Sequence, residues 1–296
     1  QPWRVGSGRE KWLALNLLEE INLPGEWALD AKDQKLYFLP PAPIKSLGIM
    51  LASVRSPVIS CKDTSHVRFD KLSIEGSLQY GVALENCSHV TVAGCTIKNT
   101  LHGLSITRGH DIAIQSNDIY ETGSEAIRIA QVGDRMKLTP ANILIDNNHI
   151  HHVGRVTFNY FMAIHNAVGV TVSHNLMHDT PKGGIAHGDI NNCLFEYNEM
   201  HNIALKESDT GTFYGHGSWS TYGNVYRYNF THHTSRANGF YCDDGNSGHI
   251  HYHNIVHGSI TSLKFGGGHD NIGRNNLLVA NRGQHIDDRG ISRNYR

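Results

Sequence analysis

Apolar residues in this chain recur in short alternating runs, not at the three-and-four spacing of an amphipathic helix. From about residue 58 a unit of the form apolar-x-apolar-x-x-Asn-x-apolar repeats. Good copies are residues 67–74, 90–97, 112–119, 143–150 and 170–177; looser ones are 193–200, 224–231, 249–256 and 271–278. The sixth position reads Leu72, Cys95, Asn117, Asn148, Asn175, Asn198, Asn229, Asn254 and Asn276, at intervals of 22 to 31 residues. A period in the twenties, made of strands with no helix between them, predicts a β-solenoid of about nine coils. Asn stacked at equivalent turns predicts an amide ladder, each side chain bonding the next coil, and Asn tolerates the left-handed conformation such turns need. The two longest intervals, 117 to 148 and 198 to 229, must bulge outward as loops, and such loops often carry function.

About ten residues after each anchor a second apolar run begins, usually at a small residue: 81–84, 103–106, 126–129, 163–166, 184–187, 211–214, 239–242, 262–265 and 283–286. Alternation places the third residue of each run outward. That column reads Ala83, Ser105, Arg128, His165, Ala186, Phe213, Tyr241, Lys264 and His285. Small residues early and polar or aromatic ones later predict the floor of a polar groove from Arg128 onward.

Residues 1–57 differ. Residues 12–23 have some helical periodicity up to Pro24-Gly25, and 26–30 and 35–39 predict a hairpin around 31–34, ended by Pro40, Pro41 and Pro43. This segment is expected to cap the 58–296 solenoid, whose bare end would expose strand edges.

Composition narrows the functional classes. With 26 basic and 27 acidic residues the net charge is −1, so nothing favours nucleic acid or an anionic membrane as partner. No apolar run reaches membrane-spanning length and none at the start reads as a signal peptide. The five cysteines form no C-x-x-C pair, so small buried hydrophobes are expected. The 21 histidines fall mostly beside the anchor Asn, which predicts stacked turn residues; no metal or cofactor is expected.

Candidate chemistry concentrates in residues 208–248. Asp209 lies beside Thr-Gly-Thr-Phe-Tyr214, and Asp243 and Asp244 follow Tyr241-Cys242, with one strand between. Two carboxylates on neighbouring coils suit glycoside hydrolysis, which needs them about 5–5.5 Å apart for retention or about 6.5–9.5 Å for inversion. Asp209 precedes its strand whereas Asp243 follows its own, an offset that should separate them. Asp209 could instead cap a turn, and Asp243-Asp244-Gly245 could be a plain turn. Trp219, Tyr214, Tyr222, Tyr226 and Tyr241 crowd the same third of the chain, as sugar stacking requires. Arg128, His165, His187, Tyr214, Tyr241, Lys264 and His285 are the candidate substrate-binding residues.

Residues 25–30 (Gly-Glu-Trp-Ala-Leu-Asp) with 36–40 (Leu-Tyr-Phe-Leu-Pro) resemble a segment of large bacterial right-handed parallel β-helix proteins. Residues 209–214, 223–229, 239–245, 265–271 and 285–290 are similar to the group that includes glycoside hydrolase family 141, with fucosidase and xylanase members, near the family 120 β-xylosidases. The resemblance implies a right-handed parallel β-helix and places paired catalytic acids on Asp209 and on Asp243 or Asp244. A secreted or periplasmic hydrolase of a polysaccharide or oligosaccharide is the resulting expectation. A polysaccharide lyase using Arg128, His165, Tyr241, Lys264 and His285 on a uronate polymer, or a non-catalytic glycan-binding β-helix, are the alternatives.

Overall fold

The computed structural model describes residues 16–290 except 235 and 280. Contacts divide the chain into two compact units, Gln1–Leu51 and Ala52–Arg296. The second begins before residue 58 because Val54 already bridges Ser77 in parallel.

In the first unit Trp27–Asp30 and Lys35–Phe38 form the expected antiparallel hairpin, with Asp30 paired to Lys35. The Asp30 carboxylate accepts the backbone N–H groups of Lys32 and Asp33, each at 3.0 Å, which closes the turn. The expected helix is not there among the described residues, and 12–15 lie outside them. Within 16–23 a single 3₁₀ turn forms, Leu18–Glu20. Asn16 pairs its side-chain amide with the backbone N–H and C=O of Leu29, a contact that holds the segment extended instead.

The second unit is an all-β right-handed parallel β-helix of about ten turns. One coil consists of Ser88–Ala93, Thr96–Lys98 and His102–Thr107, and successive coils stack these into three parallel sheets of nine, nine and ten strands. We call them sheets one, two and three in chain order within a coil. Parallel strands buried on one face need a crossover, which the rest of each coil supplies. Inward positions are mostly β-branched or Leu: Val92, Ile114, Ile145 and Val172 on sheet one, Ile97, Ile119 and Ile150 on sheet two, Ile106, Ile129 and Ile164 on sheet three, all fully buried. Each such side chain contributes roughly 1.5–3 kcal/mol on burial.

The amide ladder runs along the corner between sheets one and two. Asn117 donates from its backbone N–H and its Nδ2 to Asn148 Oδ1 (3.0 and 2.9 Å), and the pattern repeats through Asn175, Asn198, Asn229, Asn254 and Asn276. One expectation changes. The left-handed residue is not the anchor but the one before it: Ser116, Asn147, His174, Tyr197, Tyr228 and His253, each with φ of 54–56°. The anchor is thereby turned inward to bond along the stack. All five cysteines are free, four of them buried, and Cys95 ends the ladder by donating its backbone N–H to Asn117 Oδ1.

The first long interval becomes a loop between sheets three and one, and the second is divided between 202–210, linking sheets two and three, and 217–223, linking sheets three and one. Residues 133–142 carry a small antiparallel bridge, Asp134 to Thr139, and 217–223 lie beside them. Arg135 ties the two together through Asn191, Asp189 and the Ser220 hydroxyl. No described helix is long and apolar enough to cross a membrane.

Candidate active site

Sheet three carries most of the groove residues, and its register decides which they are. The outward column is Ala83, Ser105, Arg128, Ala163, Ala186, Tyr214, Tyr241, Lys264 and Asp287. Arg128, Tyr241 and Lys264 stand where the alternation placed them. Phe213 does not: it pairs with Phe240, faces the core, and Tyr214 takes the outward place. A slip of one residue exchanges the faces of a strand, and Gly211, which resembles Gly184 in sequence, sits one position earlier in register. His165 keeps an outward direction but lies one outward row further along its strand, opposite Gly188. His285 precedes the last strand and Asp287 holds its expected position, so His285 is outside the column. His187 points inward, where its Nε2 meets the Tyr226 hydroxyl at 2.7 Å; it is a core residue and not a groove residue. Tyr226 is likewise buried.

The acids come together by a loop the alternation cannot show. Residues 204–210 link sheets two and three and fold back on the preceding coil: the N–H groups of Leu205, Lys206 and Glu207 donate to the carbonyls of Thr180 and Pro181. A Cβ on Gly183 would lie 2.2 Å from the Thr210 Oγ1 and 2.5 Å from the Tyr160 ring, so only glycine lets this loop settle so close. Asp209, at φ 42°, thereby reaches the sheet face, and the Tyr241 hydroxyl approaches its Oδ1 at 3.5 Å. From the next coil, Asp243 accepts the Tyr214 hydroxyl at 2.9 Å. Burial raises the Tyr241 hydroxyl well above the ordinary phenol value, helped by its hydrogen bond to Asp243 and then by the charges of Asp243 and Asp209. Tyr214 is raised too, by burial and then by Asp243, Tyr160 and Asp209. Both carboxylates therefore act on the same pair of phenols, from neighbouring coils.

Further side chains complete the surroundings. Lys264 Nζ sits 3.9 Å from the centre of the Tyr241 ring, a close cation–π contact. Tyr160, from the loop after His152, stacks on Tyr214 at 5.9 Å between centroids. Its hydroxyl is pushed up to about 12, by burial first and by Glu207, Asp209 and Asp243, against a lowering hydrogen bond with Thr210. Asp244 and Gly245 are the two central residues of a turn closed by Asn246 N–H to Asp243 C=O at 2.9 Å, both at positive φ (45° and 82°). Asp244 is exposed there, so the plain-turn alternative describes it while Asp243 lies half-buried on the sheet.

A second polar cluster lies on the same sheet toward the N-terminal coils, and its carboxylate escapes any periodic reading. Glu125 is buried at the strand edge. It accepts Ser124 Oγ (2.6 Å) and Asn159 Nδ2 (2.7 Å), with His102 Nδ1 at 3.2 Å and Arg128 at 3.8 Å. Burial alone would raise its carboxyl, but His102 close by and the hydrogen bond from Ser124 outweigh it and hold the value at about 2. Its Oε1 accepts no hydrogen bond. Burial, then Arg128 and His216, lower the His165 ring, keeping it neutral. A separate pocket of about 400 Å³ opens at the turn between sheets two and three, lined by residues such as Arg155, Phe158 and Leu205; it holds neither Asp209 nor Asp243, which lie on the open sheet face.

Comparison with known proteins agrees with the fold. The family model described as "Right handed beta helix region" matches residues 57–159. Among solved structures the chain is similar to an alginate lyase from Paenibacillus sp. str. FPU-7, at 12% identity over 80% of this chain and 93% of that one, with TM-score 0.49. It is also similar to a GH136 lacto-N-biosidase from Eubacterium ramulus, at 12% identity over 71% of this chain and 51% of that one, with TM-score 0.37. These likenesses concern the fold alone. No curated protein matches the sequence.

Proposed function

We propose that this β-helix is a glycoside hydrolase that cleaves a polysaccharide or oligosaccharide between Asp209 and Asp243. The observation that carries the reading is the convergence of these two carboxylates, from adjacent coils, on the hydroxyls of Tyr214 and Tyr241. In such a pair one carboxyl protonates the leaving oxygen while the other attacks or activates water. Asp243, half-buried and held by Tyr214, presents a fixed oxygen suited to the second role. Asp209, exposed and on a loop, supplies the opposing carboxyl of the pair. Tyr160 and Tyr214, both partly exposed, offer ring surface to a sugar, whereas Tyr241 is buried with Lys264 over its ring. The segments that resemble glycoside hydrolase family 141, residues 209–214 and 239–245, include Asp209, Asp243, Tyr214 and Tyr241. On the same reading we propose that the protein acts outside the cytoplasm, secreted or periplasmic, where polymeric glycans are met.

The lyase reading draws on Arg128, His165 and Lys264. Elimination requires cations around a uronate carboxylate and a base, yet the tyrosines here are raised by burial and then by neighbouring acids, and would hold their protons. Two carboxylates at the same spot also repel a uronate. Reducing-end release from a glycan panel tests the proposal: activity is expected for the parent chain and a loss of at least about 1,000-fold in Asp209→Asn and in Asp243→Asn. Full activity in both variants, or an ultraviolet-absorbing unsaturated product, would replace it with the alternative.

A further inference from the structure

Sheet two carries a chemistry that the acids of sheet three do not use. Its three-residue strands place one histidine per coil at the same register: His151, His178, His201, His232 and His257. The inward partners Ile150, Met177, Met200, Thr231 and Val256 are buried, so the histidines form an outward column. Their rings stack at 5.2, 4.8 and 4.8 Å from His151 to His232. The parallel outward column contributes Asp118, His149 and Glu199. The turn-residue expectation thus holds for His174 and His253, which are left-handed before their anchors, but not for these.

At one end the groups converge. Asp118 Oδ1 lies 3.2 Å from His149 Nδ1 and 3.3 Å from His151 Nε2, and the three atoms are mutually within 4.8 Å. That oxygen is buried, yet neither ring donates it a properly directed hydrogen bond. A buried carboxylate oxygen without a donor is costly. Two ligands about 2.05 Å from a tetrahedral ion stand about 3.3 Å apart, so both separations from Asp118 already match one cation, and the two histidine nitrogens, within 4.8 Å of each other, would close onto it. Outer contacts orient the rings: His149 Nε2 meets His178 Nε2 at 2.9 Å, and His151 Nδ1 meets His152 Nδ1 at 2.7 Å.

We propose that Asp118, His149 and His151 form a binding site for a late first-row divalent cation, zinc being the natural choice for imidazole and carboxylate ligands. Asp118 belongs to one coil and the two histidines to the next, so the ion is a clip between coils. His152–His178–Asp179 and Glu199–His201–His232 repeat the grouping further along but lack a buried orphan oxygen, so they are weaker sites.

The test uses the full chain stripped with a chelator. Zinc titration followed calorimetrically should show at least one bound ion per chain and a melting temperature raised by several degrees. Cobalt(II) should give the visible bands of a four-coordinate site. Asp118→Asn and His149→Gln should each weaken zinc at least tenfold, whereas Glu199→Gln combined with His201→Gln should leave the tightest site in place. Absence of zinc binding by the parent chain would overturn the proposal. So would tight binding that survives the first two changes and disappears with the second pair. Should the Asp118 and His149 variants fail to fold, His151→Gln and the cobalt spectrum of the parent chain decide it: unchanged affinity in the one, or octahedral bands alone in the other, rejects the site.

Discussion

Individual hydroxyls govern the acid pair. Tyr214 donates to Asp243 at 2.9 Å, and that bond fixes the carboxylate relative to any sugar lying on the sheet. Tyr214→Phe keeps the ring and its stacking on Tyr160 but removes the donor. A drop of about tenfold in kcat, or about 1.4 kcal/mol, is expected in hydrolysis assays, with melting temperature shifted by only a degree or two. Unchanged kcat would show that Asp243 is oriented by something else. Glu125 makes a different residue-scale case. Its folded pKa of about 2 lies below the ordinary 4.5, so it contributes stability that is present above about pH 4.5 and lost as pH falls toward 2. Glu125→Gln should cost up to about 3 kcal/mol in urea unfolding, roughly constant from pH 8 to pH 5. A cost below 1 kcal/mol would mean that its hydrogen bonds barely repay its burial.

The coil is the element on which everything else is laid, and its corner is the Asn ladder. Asn175 accepts the backbone N–H and the Nδ2 of Asn148, and donates to Asn198 and to two carbonyls. Asn175→Ala strips the buried Asn148 N–H of its acceptor, a loss of about 2–4 kcal/mol by urea denaturation. Asn202→Ala, whose partner Asp179 is partly solvated, should cost less than about 1 kcal/mol. This ladder was legible because Asn recurs at a fixed place between two apolar alternations, and the same alternation located sheets one and two. Sheet three was legible only in part. Gly211 mimics Gly184, so a one-residue slip turned Phe213 outward on paper while it packs on Phe240 in the fold. His187 was read as a candidate for its chemistry alone, although it is the fourth residue of its run and the same alternation turns it inward, where it is found. Tyr160 and the folded-back position of Asp209 belong to loops, whose path follows from backbone bonds to the preceding coil and not from periodicity.

At the scale of the whole solenoid the core changes character along its axis. The early coils are filled by Ile, Val and Leu; the later ones hold Phe195, Phe213, Tyr226 and Phe240 with His187, His249 and His251. Tyr226 stacks on Phe195 and on His251, both at 4.6 Å, and its hydroxyl contacts His187 and His249. All three rings are lowered by burial first and by one another second, His251 to about 3. A lowered folded pKa means that stability is full above the unfolded value of about 6.5 and drains as pH falls, because only the unfolded chain can take up the protons. Three such rings give a slope of up to about 4 kcal/mol per pH unit below 6.5. Against an ordinary stability of about 5–15 kcal/mol, the solenoid should unfold within a few pH units of neutrality on the acid side. His251→Phe keeps the stack on Tyr226 and removes one of the three protonation sites. Circular dichroism from pH 8 to pH 3 should show its acid transition moved to lower pH and its slope reduced by about a third. An identical transition in the variant would show that the His251 ring does not contribute to the acid lability.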